Sequence, residues 1–249
     1  MMAACADRTG AACGSVIGEA ARRRRHLIFD LDGTLVDSCA VCVAILQDML
    51  AERGSTRRID PVVARPLMSQ GGIRLVAGLL GPDCGDAQAE VAEFRARYLV
   101  VKTGADTVYA GVIAGLQRLA QAGFTMAVCS NKPQALCEKV LADTGLDAFF
   151  TAVAGGQPGR APKPAPDLLT AVTGMLDRQG ADCIFIGDSD LDYRVARDAD
   201  LPFAFMTYGY ADHGWHPHHA HDWHDAASEC FGGFDALVDA LLAGARVPA

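Results

Sequence analysis

The sequence predicts an α/β protein, a doubly wound parallel sheet with a helical unit inserted after its first strand. Three observations predict it. Short apolar runs recur at Leu27–Phe29, Thr125–Cys129, Cys183–Ile186 and Phe203–Met206. Segments with helical apolar spacing separate the later runs, and strand–helix alternation is the mark of a parallel sheet. Between Ser38 and Asp106, by contrast, the pattern is helical only.

The chain has 249 residues, enough for one large domain or two smaller ones, and 51% hydrophobic residues, enough for a core. Its formal net charge is -8, from 22 Lys and Arg against 30 Asp and Glu. Nucleic acid and anionic membrane are disfavoured as partners, since neither would meet a basic surface. No apolar run reaches the length of a membrane-spanning helix, and the N-terminus lacks a secretory pattern. Nine scattered Cys do not make a disulfide framework, so a reducing cytoplasm is the expected location. Oligomeric state, monomer or homodimer, stays open.

Residues 1–25 carry Ala, Gly and Cys without period and end in Arg22–Arg25; they read as a poorly ordered extension. The arginines would make either a binding patch or a solvated leader. Leu27–Phe29 then reads as a strand buried on both faces. Asp30 and Asp32 follow, two apart, and project together from the strand's carboxyl end. In an open parallel sheet, ligands bind at that edge. At 4 Å and an effective dielectric near 20, two carboxylates repel by about 4 kcal/mol. A hard cation on oxygen ligands, or a shared proton, would offset this. The same residues have a plainer reading, because Asp32-Gly33 between apolar runs is also a hairpin signal. An EF-hand is excluded, since the sixth and twelfth positions from Asp30 are Leu35 and Val41 rather than Gly and Glu.

Ser38 is a candidate N-cap for a helix carrying Cys42, Ile45, Met49 and Leu50 on one face and closed by Gly54. Further helical segments are expected over Val62–Met68, Ile73–Leu80 and Ala87–Val101. Cys39 and Cys42 have the spacing of a redox or metal pair, but also of ordinary helix neighbours, and a second pair is lacking. Gln70, Gly71, Gly72 and Arg74 form a polar approach to a helix, either an anion site or a plain loop. After Thr107 the alternation begins. A helix through Val112, Leu116 and Leu119 ends at Gly123. The strand from Thr125 ends in Ser130, Asn131, Lys132 and Pro133, with Pro133 expected in the first turn of the next helix. A strand over Ala148–Val153 leads to a glycine-rich loop, then to Lys163 held between Pro162 and Pro164. Leu168, Leu169, Val172, Met175 and Leu176 share a helical face. The strand from Cys183 runs into Gly187, Asp188, Asp190 and Asp192, and a helix follows. Phe203–Met206 is the last expected strand, and Phe234–Leu242 the closing helix. No internal repeat is present.

Three strand ends therefore offer Asp30 and Asp32, Ser130 and Asn131, and Asp188 and Asp192, with Lys163 nearby. These types suit phosphoryl transfer. A phosphate monoester carries about -1.5 to -2 charges and would not approach the two acids without cations. Asp30 and Asp188 could ligate Mg²⁺. Ser130 and the amide at Asn131 can donate to phosphate oxygens, and Lys163 adds a positive charge. Asp30 could attack phosphorus. Asp32, its acidity weakened by its neighbour, could serve as acid and then base.

Asp30-Leu-Asp32-Gly33-Thr34, Ser130-Asn131, Lys163-Pro164 and Gly187-Asp188-x-x-x-Asp192 resemble, in this order, the four motifs of the haloacid dehalogenase superfamily. The likeness runs from about Leu27 to Tyr210. It implies a Rossmann-like core over residues 26–37 and 107–249, with residues 38–106 as an all-helical type-1 cap. It implies Asp30 as nucleophile, Asp32 as acid/base, and Ser130 and Lys163 as phosphate binders. It further implies Mg²⁺ on Asp30, the Asp32 main-chain carbonyl and Asp188, with Asp192, Gly33 and Thr34 in support. Gly156, Asn131-Lys132-Pro133 and Thr207-Tyr-Gly-Tyr210 resemble its phosphoglycolate phosphatase branch. The expected partner is thus a small phosphorylated metabolite, and Arg74 is the expected reader of its carboxylate, by the match of its fork. The chain departs from the pattern at Pro158, Gly159 and Arg160 in the lysine loop. It also departs at six His between His213 and His224, either a Zn²⁺ or Ni²⁺ site or a solvated loop. The rival chemistries are a sugar phosphomutase, a dehalogenase, against which Asp32 argues, and a non-catalytic metal-binding protein.

Overall fold

A computed structural model of the protein describes residues 15–176, 182–211 and 228–245. Six parallel strands form one sheet in the order β3-β2-β1-β4-β5-β6. They are β1 (His26–Phe29), β2 (Thr125–Pro133), β3 (Ala152–Gly156), β4 (Cys183–Gly187), β5 (Phe203–Met206) and β6 (Ser228–Phe231). The order reverses direction at β1, between β2 and β4. Crevices at such a switch point lie beyond the carboxyl ends of the strands. Register brings those ends level, with Phe29 opposite Val128 on one side and Ile186 on the other.

The central strands are buried on both faces, as their unbroken apolar runs require. Successive side chains of β1 go to opposite sides. Leu27 and Phe29 join one apolar cluster and Ile28 the other. The first cluster takes in α1 (Val16–Ala21), α6 (Val112–Gln121), α7 (Gln134–Thr144) and α10 (Phe234–Ala245). The second takes in α8 (Asp167–Met175) and α9 (Asp190–Asp198). Between β1 and α6 lie only helices: α2 (Cys39–Glu52), α3 (Pro61–Ala64), α4 (Gly72–Leu80) and α5 (Ala87–Val100), with short 3-10 turns. Their inward faces, Ile45, Met49, Leu75, Leu79, Val91, Phe94 and Tyr98, continue the first cluster.

Several expectations are corrected. The loose extension expected up to Arg25 gives way over residues 15–25 to α1 and a turn. Ile17 is fully buried there, and the Ser15 hydroxyl and Ile17 amide both donate to Glu229. The helix lies so close to α10 that a Cβ at Gly244 would fall 1.8 Å from the Gly18 carbonyl oxygen. The hairpin alternative fails. After Asp30 the chain coils back on itself, with Leu35 and Val36 amides donating to the Leu31 carbonyl, and no return strand pairs with β1. The third strand starts at Ala152 rather than Ala148, because Asp147–Phe149 is a 3-10 turn. Pro133 precedes α7 as its cap residue instead of entering its first turn. Val62–Met68 divides into α3 and a 3-10 turn. β6 was not expected. The histidine cluster lies outside the described residues.

Candidate active site

Asp30 leaves β1 with its amide donating to the Ile186 carbonyl, which fixes it beside β4. Its Oδ1 lies 2.9 Å from the Lys163 ammonium. That oxygen is buried and, among the described residues, accepts no well-angled hydrogen bond, so beyond the lysine's charge its lone pairs are only partly engaged. Burial raises the Asp30 carboxyl to about 6, against the pull of Lys163 and with a push from Asp192.

Asp188 follows β4 and is 1% exposed. The Thr34 hydroxyl donates to one of its oxygens at 3.0 Å and the Tyr210 amide to the other at 2.6 Å. Two glycines let the backbone approach this carboxylate. A Cβ at Gly33, which has φ +89°, would stand 2.1 Å from Asp188 Oδ2, and one at Gly209 2.3 Å from it. Burial first, then Asp192 and Asp30, pushes the Asp188 carboxyl well above the usual range. One ligand oxygen from each of Asp30, Asp188 and Asp192 lies within 4.8 Å of the others. Crowded, buried oxygen donors with raised proton affinity are what a small hard cation would relieve, so these residues fit Mg²⁺.

Lys163 reaches the same point from the loop before α8. Its ammonium donates to Asp192 Oδ1 at 2.5 Å and to the Cys129 carbonyl at 2.9 Å. Burial pulls its proton affinity down, and the charges of Asp192 and Asp30 more than reverse that. Asp192 is fully buried and held in a capping box with Ser189 at the start of α9. Its role is therefore to seat the lysine and the helix. The Asn131 side chain is spent in the same way. Its amide donates to the Lys163 carbonyl at 3.1 Å and its oxygen accepts from the Lys163 amide at 2.7 Å. That side chain therefore ties down the lysine loop; the group expected at the phosphate is the Asn131 main-chain amide. Ser130, 2% exposed, ends the regular part of β2 and lines the site.

Asp32 sits on the solvent side of this cluster. It accepts from the Ser38 hydroxyl at 2.5 Å and from the Lys132 ammonium at 3.0 Å. Ser38 thus occupies the cap position of α2 but gives its hydroxyl to Asp32 rather than to the helix. Lys132 lies 4.3 Å from the centre of the Tyr98 ring, a cation–π contact that joins β2 to α5. Its role was not foreseen, because the register of β2 shifts between Cys129 and Pro133 and side-chain alternation does not carry through that stretch.

These groups border a cavity of about 100 Å³. Asp30, Asp32, Ser130 and the two lysines form its floor; Ser69, Gly72, Leu75, Phe94, Arg95 and Tyr98 from the helical insert form its roof. Arg74 is not among the lining residues. It lies exposed on α4, turned away by the burial of Leu75 and Val76. Arg95, exposed on its outer side, borders the cavity. It falls with Val91, Phe94 and Tyr98 at helical i, i+3, i+4, i+7 spacing, a charge within an apolar stripe. Cys39 and Cys42 are buried free thiols, and burial pushes Cys42 up to about 12, which suits neither redox nor metal work.

The sheet order, the inserted helices and the acidic crevice with its lysine define a Rossmann-like α/β core with a charged site at its switch point. A sequence profile of the haloacid dehalogenase-like hydrolases matches residues 25–200, and the chain belongs to this family. A phosphoglycolate phosphatase of Rhodobacter capsulatus is 36% identical over 190 residues, covering 74% of this chain and 84% of its own length. A plasmid-borne phosphoglycolate phosphatase of Cupriavidus necator is 35% identical over 222 residues, covering 87% of this chain and 90% of its own. Among solved structures, CbbY from Rhodobacter sphaeroides, crystallised with phosphate, matches with a TM-score of 0.68 at 20% identity. It covers 87% of this chain and 99% of that one, a likeness of fold.

Proposed function

We propose that the chain is a Mg²⁺-dependent phosphomonoester hydrolase of small phosphorylated metabolites, with 2-phosphoglycolate as its substrate. The observation that carries this is the meeting of Asp30, Asp188 and Lys163, from β1, β4 and the lysine loop, at one buried point. The relatives in Rhodobacter capsulatus and Cupriavidus necator support the substrate.

Lys163 and Ser130 hold phosphate oxygens, and Asp30 attacks phosphorus to form an acyl phosphate. A proton on Asp32 goes to the leaving oxygen as the ester bond breaks. Asp32 then takes a proton from water, which attacks phosphorus, restores the Asp30 carboxylate and frees inorganic phosphate. Lys132 and Ser38 hold Asp32 in line for both transfers. Asp30, Asp188 and the Asp32 main-chain carbonyl would hold Mg²⁺, with Asp192 behind them. When bound, the ion supplies the positive charge that lets a dianion approach these acids.

Residues 38–106 act as the cap, closing the cavity and choosing the leaving group. The cavity is far below the roughly 300–1,000 Å³ of sites for drug-sized ligands. This favours a leaving group of a few atoms over the twice-phosphorylated sugar that a phosphomutase must turn. Among the described residues no helix is long and apolar enough to cross a membrane. Assay of phosphate release from about a hundred phosphorylated metabolites, with and without Mg²⁺, tests the reading. Release from small monoesters only with Mg²⁺, lost in Asp30→Asn, is expected; metal-independent release, or an active Asp30→Asn, overturns it.

A further inference from the structure

The cavity has three cations in its lining. Lys163 is engaged by Asp30 and Asp192, and Lys132 by Asp32. Arg95 has no hydrogen-bond or ion-pair partner among the described residues. Of the other arginines on the insert, Arg53, Arg57, Arg65 and Arg97 are each paired with carboxylates, while Arg58 and Arg74 are exposed, unpaired among the described residues, and do not border the cavity. Arg95 is itself exposed at the rim of the roof, and it is the unpaired arginine of the insert that borders the cavity, above a floor of two acids and two lysines.

We propose that Arg95 determines specificity by binding an anionic group, a carboxylate, on the alcohol part of the phosphomonoester. The inference rests on the phosphatase reading above. A substrate spanning the cavity places its phosphoryl group on the floor and its far end at the roof. A planar guanidinium binds a carboxylate through two parallel hydrogen bonds. Gly72 leaves the space it needs, since a Cβ there would lie 3.3 Å from Arg95 Nη2 and a larger side chain would displace the guanidinium. Arg95 also sits one turn from Tyr98, whose ring covers Lys132, so the anion would be read beside the residue that holds Asp32.

The test compares 2-phosphoglycolate with 2-hydroxyethyl phosphate, in which an alcohol replaces the carboxylate. In Arg95→Ala, kcat/KM for 2-phosphoglycolate should fall about 10- to 100-fold, mostly through KM. The same ratio for 2-hydroxyethyl phosphate should stay within about threefold. Arg95→Lys should recover part of the loss, as a charge without the fork. Equal losses on both substrates, no loss on either, or a larger selective loss in Arg74→Ala would overturn the role of Arg95 while leaving the phosphatase reading standing. A wild-type protein inactive on every phosphomonoester would overturn both.

Discussion

Asp30→Asn should abolish turnover and yet stabilise the metal-free protein. Burial raises the Asp30 carboxyl from 3.8 to about 6. At about 1.4 kcal/mol per tenfold change in proton affinity, its ionised form costs the fold about 3 kcal/mol above pH 7. The sign follows from linkage. The native state binds the proton more tightly, so Asp30 burdens the fold least below pH 3.8, and the burden grows as pH rises through about 6. Asparagine mimics the neutral form and removes the burden, while Lys163 keeps Asp192 as its counter-charge. In EDTA at pH 7.5, Asp30→Asn should melt roughly 6–12 °C above the wild type. At pH 4.5 the advantage should shrink to about 1 kcal/mol. Thermal melts followed by circular dichroism across that pH range measure both. A variant that melts below the wild type at pH 7.5, or a gap independent of pH, would refute the electrostatic account of the site.

Other substitutions separate the supports of the site. Lys163→Met leaves Asp30 and Asp192 buried without a counter-charge; urea titration should show a loss of about 3–5 kcal/mol, together with no phosphate release. Gly33→Ala puts a Cβ against Asp188 at a backbone angle alanine resists. Mg²⁺ protection against thermal unfolding should vanish there, and the metal-free melt should fall by several degrees, since the clash and the strained angle both act on the native state. Deleting residues 1–25 strips Ile17, Ala20 and Ala21 from α10. Denaturant titration should show a loss of about 3 kcal/mol, chiefly the burial of Ile17 and the two alanines.

Much of this was legible because strand ends announce themselves. Leu27–Phe29 and Cys183–Ile186 are apolar on both faces, and each breaks into acids at its carboxyl end. Parallel register then forces Asp30 and Asp188 together. Two kinds of feature were hidden. One is structure made by close approach rather than by period: α1 is short, its middle is Gly18, and its stability comes from contact with α10 across more than two hundred residues. β6 is similar, since Ser228–Phe231 has little apolar pattern of its own and is held by pairing with β5. The other is the partner of a side chain. Nothing in the local sequence says that Asn131 binds the Lys163 backbone, or that Ser38 and Lys132 share Asp32. Which arginine borders the cavity was partly legible: Arg95 falls at helical spacing with Val91, Phe94 and Tyr98, whereas Arg74, expected from the match of its fork, precedes the buried Leu75 and Val76 and does not border it.

The claim that Asp30 itself carries the phosphoryl group can be tested in one tube. The protein is mixed with Mg²⁺ and ³²P-labelled 2-phosphoglycolate, quenched in acid within milliseconds, and digested for mass spectrometry. Label should be found on the peptide containing Asp30, as an acid-stable, base-labile acyl phosphate. Phosphate released at full rate with no label on that peptide at any quench time would contradict the account.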